Sequence, residues 1–283
     1  MENQLFKFWI FSLVCLLFNS CKFETKEAVS QMQQVANSGS NPLERLPENE
    51  AGRTVKKAIA EAGGWEKWAA KKTFSYVKTM EYFDSTGVRE RQLQQLHQYQ
   101  LQPQFKARIN WEEGGDQFVI INDGQQAWKY KNGVEMTDQA SRNQAWNSSF
   151  GSHYVVSMPF KLTDPGVILT DEGLDTLPGK KAVLALKVAY EKGVGSAGGI
   201  HVWRYYFDKE TYRLAANFLD YGEGYSFTTY ETFKTVDGIL VAEERHGYTV
   251  NAQKEVGRLR SIYRNEEMQF DVPLADSLFE SLN

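Results

Sequence analysis

The chain has 283 residues, 42% of them hydrophobic and 13% aromatic, which is enough apolar material for one large packed domain or two small ones. Its formal net charge of -4 comes without any dense lysine and arginine cluster, and this excludes a general nucleic-acid binder.

The chain opens on an apolar run, residues 8–18, FWIFSLVCLLF, preceded by Lys7. It has secretory-signal length and is too short to cross a bilayer comfortably. It ends on Phe18-Asn19-Ser20-Cys21, which resembles a bacterial lipobox, where the cysteine is acylated and becomes the first mature residue. Cleavage before Cys21 discards Cys15 and leaves a single thiol, so no internal disulfide can form in an oxidising compartment. The expectation is a signal peptide over 1–20 and a lipid anchor on Cys21, firm because each buried methylene contributes about 0.8 kcal/mol. The alternative is an ordinary secretion signal with an incidental cysteine. Residues 21–50 are polar and broken by Gly39, Pro42 and Pro47, which predicts a flexible tether, with one folded domain over 51–283.

Residues 49–62 repeat Val55, Ile59 and Ala62 at helical spacing and stop at Gly63-Gly64, so an N-terminal helix is expected there. Trp65 and Trp68 follow on one side of a short turn and are expected to clamp that helix onto a sheet. Strand texture then takes over. Residues 73–83 alternate, with Phe74, Tyr76, Met80 and Tyr82 on one face, and Asp84-Ser85-Thr86-Gly87 turns the chain into a long Gln-rich strand over 88–101. Three shorter strands, 105–112, 117–122 and 125–131, are joined by turns such as Asn122-Asp123-Gly124 and Lys131-Asn132-Gly133. Such turns need positive φ and define an antiparallel meander.

Residues 138–158 form the one long helical interval, weakened by Ser148, Gly151 and Ser152, so that two helices with a bend are allowed for. Trp146, Phe150, Tyr154 and Met158 recur every four residues and predict an aromatic stripe resting on an apolar surface. Pro159 should end the helix, and Asp164-Pro165-Gly166 should launch the next strand. Further strands are expected over 167–170, 181–190, 200–208, 212–221, 225–234, 239–250 and 255–268, with a terminal helical turn over 276–282. The glycine-rich residues 191–199 lack a Lys-Ser/Thr pair and predict a rim loop rather than a phosphate loop.

No catalytic constellation emerges. His97, His153, His201 and His246 are scattered without metal-ligand spacing, and no G-x-S-x-G is present. The acidic pairs, such as Glu243-Glu244, lie on strands, where neighbours point to opposite faces. No cofactor, metal or catalytic residue is assigned. The aromatic rows carry the binding expectation instead: Trp128 with Tyr130, Trp203 with Tyr205 and Phe207, and Leu214 with Phe218, each group on one face of a strand. Together with Trp146, Phe150, Tyr154 and Met158 they are the candidate ligand-cavity residues. Alternation alone leaves open which face is concave, and whether the rings wall a cavity or fill it.

The segments PFKLTDPGV (159–167), FDKETYRL (207–214), TVDGIL (235–240) and RNEEMQF (264–270), with AIAEAGGWEKW (58–68), resemble an uncharacterised family of Bacteroidota lipoproteins. That family looks related in fold to the LolA, LolB and LppX carriers. The resemblance implies a mainly β, α+β fold: a curved antiparallel half-barrel of about ten to twelve strands, with an N-terminal helix and a mid-chain helical lid on the concave face. It implies an outer-membrane lipoprotein of the cell envelope, facing the periplasm, that binds a lipid or other hydrophobic ligand without catalysis. The alternatives are a structural lipoprotein with a filled cavity and an envelope protein partner, or an envelope hydrolase.

Overall fold

The structure is a computed structural model that describes residues 41–179, 181–191 and 201–282. The expected signal peptide, Cys21, most of the tether and nearly all of the glycine-rich loop therefore lie outside the described residues. The described chain begins earlier than the expected domain boundary. Residues Pro42–Arg45 form a 3-10 turn with Pro42 buried, and Leu46 joins the main core. Part of the segment read as tether is thus packed, because its few apolar residues find partners in the domain.

Helix α1 spans Glu50–Glu61 and is capped by Asn49, whose side chain accepts a hydrogen bond from the Gly52 amide. Its Val55, Ala58 and Ile59 are buried, and α2 (Trp65–Ala69) follows after the Gly63-Gly64 break. The break is forced by close packing. A Cβ on Gly63 would stand 2.1 Å from the Gly238 carbonyl oxygen, and its φ of +111° is one that side chains rarely adopt.

The sheet strands are β1 (Thr73–Phe83), β2 (Arg89–Gln100), β3 (Lys106–Glu113), β4 (Asp116–Asn122), β5 (Ala127–Lys131), β6 (Val134–Glu135), β7 (Val167–Leu177), β8 (Lys181–Tyr190), β9 (Val202–Asp208), β10 (Leu214–Asp220), β11 (Tyr225–Val236), β12 (Ile239–Val250) and β13 (Val256–Phe270). They form one 13-stranded sheet in the order β6-β5-β4-β3-β2-β1-β13-β12-β11-β10-β9-β8-β7. All pairings are antiparallel and the ends stay open, so the sheet is a curved half-barrel with one strand more than expected. Among the described residues only the β1–β13 pairing joins strands distant in sequence, which brings two meanders side by side.

Helix α3 (Gln139–Val156) is a single helix, capped by Asp138, which accepts from the Ser141 amide. It lies on β3, β4 and β5, while α1 packs through the same core on the β7–β12 half. We call the helix-bearing side of the sheet the inner face. Trp68 stacks on Phe160, just after α3, at 4.6 Å between ring centroids and meets Phe270 of β13 edge-on at 6.0 Å, so α2 ties the segment that follows α3 to the sheet.

Candidate functional site

The seat of α3 differs from the expected aromatic stripe. Its buried positions include Ser141, Ala145, Ser149 and His153, one residue ahead of Trp146, Phe150 and Tyr154. The small ones, Ser141, Ala145 and Ser149, let the helix approach the sheet closely, and Ser149 Oγ accepts a 2.8 Å hydrogen bond from buried Asn122; of the expected stripe within the helix only Tyr154 is also buried. The aromatic row is consequently carried on the flank of the helix. Trp146 lies 4.9 Å from Phe150, Phe150 stacks on Phe105 at 4.7 Å, and Tyr154 reaches the far half of the sheet. There its hydroxyl is 2.6 Å from that of Tyr190, and its ring is 5.6 Å from Trp203. The lid therefore bridges the two halves of the half-barrel. Met158 is buried beyond the helix end and shares a shallow crevice with Ala58, Tyr212 and Leu214.

Of the strand aromatics, Trp203, Tyr205, Phe207 and Leu214 do face inward and pack in or against the main core. Three other candidates do not. Trp128 pairs with Ile121, which pairs with Arg108, while inward residues of the same strands are Ile109, Ile120 and Lys129. Trp128 and Tyr130 thus point outward, and the Tyr130 hydroxyl accepts from the Leu282 amide of the C-terminal segment. Phe218 is also outward, in a cluster with Val183, Tyr206 and Phe227. A register shift between Leu214 and Ala216 changes the alternation, so Leu214 and Phe218 stand on opposite faces.

Sequence reasoning missed the most unusual inner-face residues. Lys78 alternates with Tyr76 and Met80, and Arg245 pairs across to Tyr230 and Tyr263. Both cations stand over the ring of Tyr263, Lys78 Nζ at 5.6 Å and the Arg245 guanidinium carbon at 5.5 Å. Arg245 is only 7% exposed, and its Nε has no hydrogen-bond partner; neither has buried Trp203 Nε1. Burial, reinforced by the charge of Arg245, pulls the Lys78 ammonium down to about 7. His97, wholly buried beside Tyr99 and Gln95 at 2.8 and 3.1 Å, is held neutral by burial and then by Lys78. The signal for Lys78 was its place at the skipped position of the Phe74, Tyr76, Met80 row. Arg245 carried none, because arginine on a strand normally marks a solvated face.

Among the described residues no three His, Cys, Asp or Glu side chains are grouped to hold a metal. Nor is any helix there long and apolar enough to cross a membrane. The arrangement is that of a lidded inner face, rich in aromatic rings, with Lys78 and Arg245 brought together over one of them.

The fold is an open, curved antiparallel half-barrel. Within that class the chain belongs to a family of unknown function, DUF6503, whose model matches residues 111–274. Among solved structures it is similar to a DUF1329 family protein from Desulfovibrio piger, at 11% identity and a TM-score of 0.51 over 82% of this chain and 98% of that one. A LolA superfamily protein from Nitrosomonas europaea matches at 11% identity and a TM-score of 0.49, over 81% of this chain and 97% of that one. A putative outer membrane lipoprotein-sorting protein domain from Vibrio parahaemolyticus matches at 11% identity and 0.48, over 80% and 97%. No curated protein matches the chain.

Proposed function

We propose that the protein is an envelope lipoprotein, anchored through Cys21 and facing the periplasm, that binds a hydrophobic ligand such as a lipid acyl chain against the inner face, without catalysis. The observation that carries this reading is the lid: α3 is seated through small side chains, so its aromatic flank runs from Trp146 and Phe150, which stacks on Phe105, to Tyr154, which meets Trp203 and Tyr190 across the half-barrel. An unpartnered Trp203 Nε1 on that wall fits a region that receives something besides its own side chains. Native mass spectrometry after gentle purification, with lipid extraction, tests it. Co-purifying lipid and uptake of a hydrophobic dye are expected, and the reproducible absence of both would sink the carrier reading.

A second reading has its own support. Tyr76, Tyr99, Tyr205 and Phe207 are at most 1% exposed, so part of the inner face is filled by the protein itself. In that reading the half-barrel is a structural scaffold and its outer face meets an envelope partner. The anchor is tested separately: a Cys21→Ala variant is expected to leave the membrane fraction, and unchanged fractionation would remove the lipidation claim.

A further inference from the structure

Lys78 and Arg245 meet over one inner-face ring, that of Tyr263, and neither has an anionic partner among the described residues. In the direction of the strands, Lys78 lies one inward position beyond Tyr76, about 6.5 Å further along β1, where the filled core gives way to the rest of the inner face. Its direct cross-strand neighbours are Gln95 and Asn265, both uncharged. Arg245 is flanked across its strands by Tyr230 and Tyr263, also uncharged. The carboxylates nearest in sequence are engaged elsewhere. Glu81 and Glu244 both bind Arg264, at 2.6 and 2.8 Å, and this network stands on the outer face in register with Thr79. No ion pair of Lys78 or Arg245 is formed among the described residues.

Such a pair is costly in a ligand-free protein. Burying a charge without a counter-charge is among the most unfavourable events in folding, and placing a second like charge beside it adds repulsion. A guanidinium does not escape that cost by losing its proton. Unpartnered polar atoms are also gathered nearby: Arg245 Nε and Asn265 Oδ1 are buried without partners. Groups of this kind call for a ligand that brings negative charge and hydrogen-bond acceptors with it.

We propose that Arg245 and Lys78 form an internal anion site that takes the carboxylate or phosphate head of an amphiphile, whose apolar tail lies along the inner face beside the aromatic flank of α3. The inference rests on the carrier reading and deepens it, naming an anionic amphiphile as the ligand class. The Tyr263 ring lies beneath both cations and holds them at one place on the inner face. Tyr230, held by Asn217 at 3.1 Å, borders the same place and offers a hydroxyl to the head group. The site differs from an exposed basic patch, because it selects for the head group only when the tail can also be accommodated.

The test compares four probes on the delipidated full-length protein: oleate, lysophosphatidic acid, uncharged oleyl alcohol, and inorganic phosphate. A charge-assisted contact with two cations is expected to make oleate or lysophosphatidic acid bind at least about tenfold more tightly than oleyl alcohol. Whichever of the two acids binds better identifies the head group. Lys78→Met and Arg245→Gln are each expected to narrow that ratio towards one, while oleyl alcohol affinity stays within about twofold. The probe comparison needs no variant, so misfolding of Arg245→Gln would not spoil it. Equal affinity for oleate and oleyl alcohol would overturn the anion site and leave the carrier reading standing. Binding of neither would overturn both, and inorganic phosphate binding as tightly as lysophosphatidic acid would overturn the amphiphile.

Discussion

Replacing Lys78 by methionine keeps the unbranched stem and removes the ammonium, so it isolates the cost of a cation on the inner face. A lysine whose folded pKa lies below its unfolded value destabilises the native state, fully so below the folded pKa. That cost is relieved as pH rises towards the unfolded value. The native ammonium titrates near 7 rather than 10.5, because burial and then Arg245 disfavour its charge. At about 1.4 kcal/mol per pKa unit the displacement sets a ceiling of ~5 kcal/mol. Water still reaches a partly buried ammonium, so roughly 2 kcal/mol of stabilisation is expected from Lys78→Met at pH 6 to 7. The other charged or titratable groups near it are Arg245 and three groups held neutral by burial over this range, His97, Tyr76 and Tyr99. Urea denaturation of the delipidated proteins at pH 6, 7, 8 and 9 measures the effect. The variant should be more stable at pH 6 and 7, and the gap should shrink by pH 9 as the wild type loses its proton. A variant no more stable at pH 7, or a gap that does not change with pH, would refute the placement of Lys78.

Other outcomes follow from the same geometry. Ser149→Ala leaves the buried Asn122 amide without its acceptor and should cost about 1–3 kcal/mol in denaturant unfolding. Ala145→Leu overfills the seat of α3 and should cost a similar amount while raising hydrogen exchange in residues 139–156; unchanged exchange would mean that the helix rests elsewhere. Trp203→Ala and Phe218→Ala remove aromatic rings from opposite faces of adjacent strands. Both should lower stability, but only Trp203→Ala should reduce hydrophobic dye uptake, and equal losses would contradict the face assignment.

The elements were largely legible because turn chemistry and alternation are local. Asn49 and Asp138 cap helices that end near Gly63 and Pro159, as their side chains and backbone limits dictate. Faces were less legible. Alternation assigns a face only until a bulge intervenes, and the shift at Leu214/Ala216 puts Phe218 outside. A second bulge, where Glu267 adopts a φ of 52°, lets Asn265 and Met268 both turn inward on β13. Nor could period two say which side the C-terminal segment would cover, yet that contact draws Tyr130 outward. In α3 the large residues caught the eye, whereas close approach to the sheet required the small ones beside them. Lys78 and Arg245 break the usual rule for charge on strands, and such exceptions concentrate where a protein does its work.

The central claim, that a hydrophobic ligand lies against the inner face beside the aromatic flank of α3, is tested most directly by photo-crosslinking with a diazirine-bearing fatty acid followed by residue-level mass spectrometry. Adducts are predicted on inner-face residues such as Trp203, Tyr263, Phe150 and Tyr154, and are competed away by excess oleate. Labelling confined to outer-face residues such as Trp128, Phe218 and Tyr248, or insensitive to that competition, would contradict the account.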